Sequence, residues 1–175
     1  MNFFISDMHF FHKNLLGKND FAPRLFETVE EMNQQLITSW NAVVKEADQV
    51  YHLGDLAMHP QYEKGSQDVL ELVQQLKGTI HFIKGNHDSR AFFRYLEKHD
   101  PGMGNGAKKF YFYDVGTIVK FNHQQYYLTH YPMLLGPNDS VRNLHGHIHH
   151  YSVPIGNDVN VGADAPERDF FKKKL

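Results

Sequence analysis

The stretch TIHFIKGNHDS, residues 79–89, decides how the chain is read. Residues 79–84 are mostly β-branched and aromatic, the composition of a strand. Gly85 breaks the run, and Asn86, His87 and Asp88 follow as a short polar loop. A helical pattern then covers residues 91–98. A strand that ends in a polar loop and passes into a helix is half of a βαβ unit.

The same grammar precedes it. Residues 2–6 read as a strand that runs out into Asp7-Met8-His9. Residues 28–44 read as a helix, with Met32, Leu36, Trp40 and Val43 at helical spacing and Thr28 with Glu31 as a capping box. Residues 49–53 form a second strand, ending in Gly54-Asp55. Residues 66–77 form a second helix, with Val69, Leu70, Val73 and Leu76 on one face and Gly78 at its C-terminal end. The first half is therefore α/β.

The second half changes character. Residues 101–106 hold three glycines and read as a loop. Strands are expected over 109–113, 117–121 and 126–129, then near 143–145, 151–154 and 159–161, the later ones antiparallel. One of them runs out into His130, another into Gly146-His147-Ile148-His149. No repeat or linker interrupts the chain, so residues 1–175 are expected to form one domain, with about 170–175 as a tail.

Composition narrows the chemistry. There is no cysteine among 175 residues, which excludes disulfides and thiolate metal sites. The net charge of -2 at pH 7 gives no electrostatic drive toward nucleic acid or an anionic membrane. No apolar run has the length of a membrane helix and the N-terminus lacks the pattern of a signal peptide, so a cytoplasmic location is expected. Oligomeric state is left open.

The reactive residues cluster at strand ends, where ligands bind in open α/β sheets. Each segment alone is commonplace, and a lone histidine at a strand end is usually structural. Together they supply two carboxylates (Asp7, Asp55), one amide (Asn86) and four imidazoles (His9, His130, His147, His149). That is enough for two divalent ions held by nitrogen and oxygen only.

The set Asp7-x-His9, Gly54-Asp55, Gly85-Asn86-His87-Asp88, His130 and Gly146-His147-x-His149 resembles the five-motif signature of the calcineurin-like metallophosphoesterase superfamily. The opening SDMHFFHKN, with RLF and EMNQQLITSWN downstream, further resembles small single-domain bacterial and phage phosphoesterases. The resemblance implies an α/β fold of four layers, an αββα sandwich with two mixed β-sheets flanked by helices. It implies that Asp7, His9 and His149 bind a first metal, that Asp55 bridges, and that Asn86, His130 and His147 bind a second. His87 would stay uncoordinated and act on the leaving group, with Asp88 beside it to orient the ring, favour its protonated form or cap the next helix. His12 and Asn41 match the closer group without an assignable role.

The chemistry suits these residues. Two ions can clamp a phosphate and supply a bridging hydroxide near neutral pH, which then attacks in line. Two divalent ions, two carboxylates and a hydroxide sum to +1, counting these groups only, which leaves the centre attractive to an anion. Imidazole is matched to proton transfer near pH 7, which suits His87 to the leaving oxygen. Mn, Fe, Zn, Ni or Co all fit such ligands, with Mn favoured. The expected partner is a phosphoester small molecule or nucleotide, with diesters favoured over monoesters. Nucleic acid is a candidate that the charge does not support, and no membrane partner is expected. The other classes weighed are a catalytically silent scaffold of this fold and a mononuclear iron oxygenase of the cupin type. Arg90 and Arg142 are read as ordinary surface arginines, and residues 110–113 as a strand covering core.

Overall fold

The computed structural model describes residues 1–20, 22–58, 63–154 and 156–165; the tail expected near 170–175 lies outside them. The elements run β1 (Asn2–Ile5), a short 3₁₀ turn (Lys13–Leu15), α1 (Val29–Val43), β2 (Gln49–His52), α2 (Glu63–Val73), β3 (Thr79–Ile83), α3 (Arg90–Lys98) and β4 (Phe110–Tyr113). The second half follows as β5 (Gly116–Phe121), β6 (Gln124–Thr129), β7 (Val141–His145) and β8 (Asp158–Asn160). Strands β1-β2-β3-β4 form one sheet and β5-β6-β7-β8 another.

Local chemistry sets the element ends. Thr28 caps α1 by accepting from Glu31 N at 3.1 Å. The Glu31 carboxylate reaches back to Glu27 N at 2.9 Å, one residue beyond the capping-box position. Ser89 caps α3 by accepting from Phe92 N. Gly78 takes a φ of +87° between α2 and β3, a conformation that favours glycine.

Strand alternation divides the core. On one face of the first sheet Phe3, Ile5, Val50, Ile80, Phe82 and Phe110 pack against Met32, Leu36 and Trp40 of α1, Val69 and Val73 of α2, and Phe92 and Leu96 of α3. On the other face Phe4, Leu53 and Ile83 meet Tyr126, Leu128, Leu144 and Val161 of the second sheet. The α/β sandwich of two packed sheets is as expected. In detail the first sheet is wholly parallel, the second mixed, and all three helices join the core on one side of the first sheet.

Two expectations about the second half are corrected. Only β5–β6 is antiparallel, closed by a two-residue hairpin in which Asn122 and His123 take φ values of 50° and 60°. β6–β7 and β7–β8 are parallel, so the chain returns to the starting end of the preceding strand before β7 and again before β8. β4 in turn joins the first sheet, parallel to β3. Residues 151–154 make no strand; Tyr151 O accepts from the Asn160 side chain at 3.1 Å instead of from a neighbouring strand.

These parallel strands bring their C-terminal ends to one rim. The sheets are stitched there: Ser6 N donates to Val161 O at 3.1 Å and Ala163 N to Ser6 O at 2.9 Å. Among the described residues, no helix is long and apolar enough to cross a membrane.

Candidate metal centre

The loops after β1, β2, β3, β6 and β7 converge on this rim. Two groups of ligand atoms form, each within 4.8 Å: Asp7 with His9 and His149, and Asp55 with His130 and His147. Asn86 joins the second group, its Oδ1 lying 2.9 Å from His130 Nε2 and 3.0 Å from His147 Nδ1. Asp55 stands between the groups. Its Oδ2 is 3.4 Å from His130 Nε2, 3.7 Å from His9 Nε2 and 3.9 Å from His87 Nε2.

The local backbone is bent to make this possible. Asp7, His9, Asp55, His147 and His149 all take φ between 47° and 72°, a region that non-glycine residues seldom occupy. Strained residues of this kind cluster at functional sites. The motif glycines give room. A Cβ on Gly85 would collide with Asp55, one on Gly146 with Ser6 and Asp7, and one on Gly54 with His130 and Gly85.

The donor set fits divalent ions. Donors on adjacent corners of an octahedron at about 2.1 Å from an ion lie about 3.0 Å apart, the spacing already set by Asn86, His130 and His147. His9 Nε2 is buried and has no hydrogen-bond partner among the described residues. A buried unpaired polar atom is costly, and an ion would satisfy it. Burial lowers the His9 pKa to about 2, so the ring is neutral and can donate its lone pair.

The carboxylates differ. Burial pushes Asp7 up to about 6. Burial opposes the charge of Asp55 too, but the His130 hydrogen bond and charge outweigh it and hold Asp55 well below the usual carboxylate range. His130 is raised correspondingly: burial lowers it, and its pairing with Asp55 wins.

His87 sits at the mouth with about 36% of its side chain exposed. Its backbone N donates to Asp55 Oδ1 at 2.9 Å, and its ring lies edge-on to His9 at 5.3 Å. Asp88 is placed otherwise than expected. Its Oδ2 accepts from Asp55 N at 2.8 Å and Gly85 N at 2.9 Å, and its Oδ1 from Leu56 N at 3.1 Å. Buried and so occupied, it ties the Gly54-Asp55 loop to the Gly85-Asn86 loop, and Ser89 takes the helix cap. Neither catalytic duty expected of Asp88 matches these contacts.

Four residues were missed or left without a role: His12, Arg24, Asp164 and Asn41. His12 Nδ1 is 3.3 Å from His9 Nδ1. Arg24, only 4% exposed, donates from Nη1 to Met8 O (2.6 Å) and from Nη2 to Asp7 O (2.7 Å), and chelates both oxygens of Asp164. Asp164 Oδ2 in turn meets His149 Nδ1 at 2.9 Å. The sequence signals for Arg24 are its place in the Arg24-Leu25-Phe26 segment of the resemblance and its standing as a lone charge between Ala22-Pro23 and Leu25-Phe26. Arg90 pairs with Asp114 on the surface and Arg142 approaches Gln124. Asn41 lies on α1, where it bonds Gln75 O and Lys77 N.

Comparison with known proteins agrees with this geometry. An uncharacterised protein of Methanocaldococcus jannaschii is 36% identical over 141 residues, covering 75% of this chain and 74% of that protein. The gene 66 protein of Mycobacterium phage L5 is 34% identical over 85 residues, 49% of this chain and 38% of that protein. A solved protein of unknown function from Aquifex aeolicus shares the fold, with a TM-score of 0.66 at 22% identity over 94% of this chain and 90% of that one. The calcineurin-like phosphoesterase model matches residues 3–173, nearly the whole chain, and takes in every candidate ligand placed above. By that match and that ligand set, the chain belongs to the calcineurin-like phosphoesterase family, whose members are metal-dependent phosphoesterases.

Proposed function

We propose that the chain hydrolyses phosphodiesters at a centre of two divalent ions. The observation that carries this reading is the position of Asp55 Oδ2, within 4 Å of His9 and His130 from the two separate ligand groups. When bound, the ions supply Lewis acidity toward the phosphate oxygens and a hydroxide nucleophile at neutral pH. Asp7, His9 and His149 would hold one, Asn86, His130 and His147 the other, with Asp55 shared between them. Mn is the favoured metal.

The side chains around the centre divide the remaining work. His87, half-open to solvent and anchored through its backbone to Asp55, protonates the leaving oxygen. Asp88 holds the two loops that carry Asp55 and Asn86 at their observed separation. The buried rings of His9 and His149, stacked at 5.1 Å, form a wall that keeps water from the back of the site.

The guanidinium groups beside the motif loops favour a diester. Arg24 is committed to Asp164 and two backbone carbonyls, and Arg90 to Asp114. Neither is offered to a phosphate. A diester carries one negative charge where a monoester carries up to two, so it needs less cationic help. The substrate is then a small phosphodiester, a cyclic nucleotide among the candidates.

The test compares initial rates on bis(p-nitrophenyl) phosphate and p-nitrophenyl phosphate, with chelator-treated protein before and after Mn²⁺ is added. Metal-restored hydrolysis that favours the diester supports the proposal. A monoester preference would leave the centre in place and overturn the diester assignment. Inactivity on both with ions bound would point to a silent scaffold.

A further inference from the structure

The two ligand groups are supported unequally. In the first, Asp7, His9 and His149 are at most 1% exposed. Behind His149 stands a largely covered carboxylate, Asp164, 13% exposed, which is itself gripped by a buried guanidinium. Arg24 Nε lies 3.0 Å from Asp164 Oδ1 and Nη2 lies 2.9 Å from Oδ2. The same guanidinium holds the carbonyls of Asp7 and Met8. One arginine thus joins the loop that bears Asp7 and His9 to the residue that fixes His149. In the second group His130 Nδ1 meets only a backbone carbonyl, Leu53 O, at 2.9 Å. His147 is half-buried, with the exposed Tyr131 edge-on to it at 4.5 Å.

We infer that Arg24 and Asp164 are positioning residues for the first metal site, and that they make it the tighter of the two. The argument rests on the reading of these residues as metal ligands and not on which ester is cleaved. Asp164 accepts the Nδ1 proton of His149, which leaves Nε2 as the ligating nitrogen. An imidazole whose second nitrogen faces a carboxylate is a more basic ligand and does not rotate away, and loss of such a partner typically weakens metal binding 10–100-fold. Arg24 holds Asp164 at that position, gripping both carboxylate oxygens through Nε and Nη2. Arg24 also spans four acceptor atoms with its planar fork, which the single ammonium of a lysine cannot reproduce.

The test isolates each site. Substitution of His147 with alanine disables the second group, and substitution of His9 disables the first. The Mn²⁺ affinity of each single-site protein is read from the electron paramagnetic resonance signal of free Mn²⁺. Removing the acid alone would strand a buried guanidinium, so the pair is replaced together, Arg24→Met with Asp164→Leu. Exchanging a buried ion pair for apolar groups of similar size is often tolerated. In the His147→Ala background this pair should raise the Mn²⁺ dissociation constant about 10–100-fold. In the His9→Ala background it should change it by less than about threefold. A two-bond ¹H–¹⁵N spectrum of the metal-free protein should show His149 protonated at Nδ1 in wild type. Equal weakening at both sites would reduce Arg24 and Asp164 to a general structural brace. Unchanged affinity at the first site, or a His149 ring protonated at Nε2 in wild type, would also overturn the inference.

Discussion

Replacing Gly54 with alanine measures how tightly the centre is packed. Gly54 has a φ of +99°, and a Cβ there would come 2.5 Å from His130 Nδ1 and 2.8 Å from both the Cα and N of Gly85. Backbone strain at such a φ costs about 1–3 kcal/mol for a residue with a side chain. Overpacking adds about 1–3 kcal/mol. Gly85 is backbone and cannot rotate aside, so the sum falls toward the upper half of about 2–6 kcal/mol. At roughly 2–4 °C per kcal/mol for a chain of this size, Tm drops by roughly 10 °C or more. Gly104 serves as the control: its φ is +72°, yet nothing lies within 4 Å of its Cβ position, so Gly104→Ala bears the backbone cost alone. Both variants are unfolded thermally and in urea with chelator present, so that metal loss cannot mimic the effect. Gly54→Ala should also weaken Mn²⁺ binding, because the clash pushes on His130, whose Nδ1 is anchored to Leu53 O. If Gly54→Ala were no less stable than Gly104→Ala, the close packing claimed for the rim would be wrong.

The remaining predictions concern chemistry. His87→Ala should slow turnover by roughly 10²–10⁴ while the metal content stays at the wild-type value; loss of metal on dialysis would make His87 a ligand. Asp55→Ala should weaken binding at both sites, since Asp55 Oδ2 faces both ligand groups, and undiminished loading by metal analysis would remove the bridge. Metal affinity should rise with pH from about 5.5 to 7.5. In the metal-free protein Asp7 titrates near 6 and His130 is raised above its usual value, so both bind protons that an ion must displace. His9, lowered to about 2, has no proton to give up in that range. Calorimetry in buffers of different ionisation enthalpy counts the released protons, and an affinity flat across the range would contradict the assignment.

Much of this was legible in the sequence because it is local. Met32, Leu36 and Trp40 are spaced for one helix face, and that face is buried against the first sheet. The polar groups after successive strands needed only the rule that parallel strands end together, and Asp7, His9, Asp55, Asn86, His130, His147 and His149 do meet at one rim. Strand direction in the second sheet was not legible. Residue pattern reports which face is buried and says nothing of whether the chain between β6 and β7 turns back or travels round. Asp88 misled through adjacency, since neighbours in a bent loop point in different directions, and its carboxylate faces the Gly54-Asp55 loop. Arg24 and Asp164 left little trace. A solitary charge in a loop has no periodicity, and its burial depends on a partner 140 residues away.

That separation bears on how the molecule is made. Asp7 accepts from the backbone N–H of His147, and Asp164 accepts from Arg24, each across 140 residues. A nascent chain that has emerged only through β4 owns Asp7, His9, Asp55 and Asn86 but none of the three later histidines. Neither ligand group is whole at that stage, although the strands of the parallel sheet are all present. Domains generally fold as units, so a chain that ends after β4 holds the apolar contacts of the parallel sheet and an incomplete set of candidate ligands. An ion held by both groups would therefore act as a latch, stabilising in full only a chain translated and wrapped as far as His149.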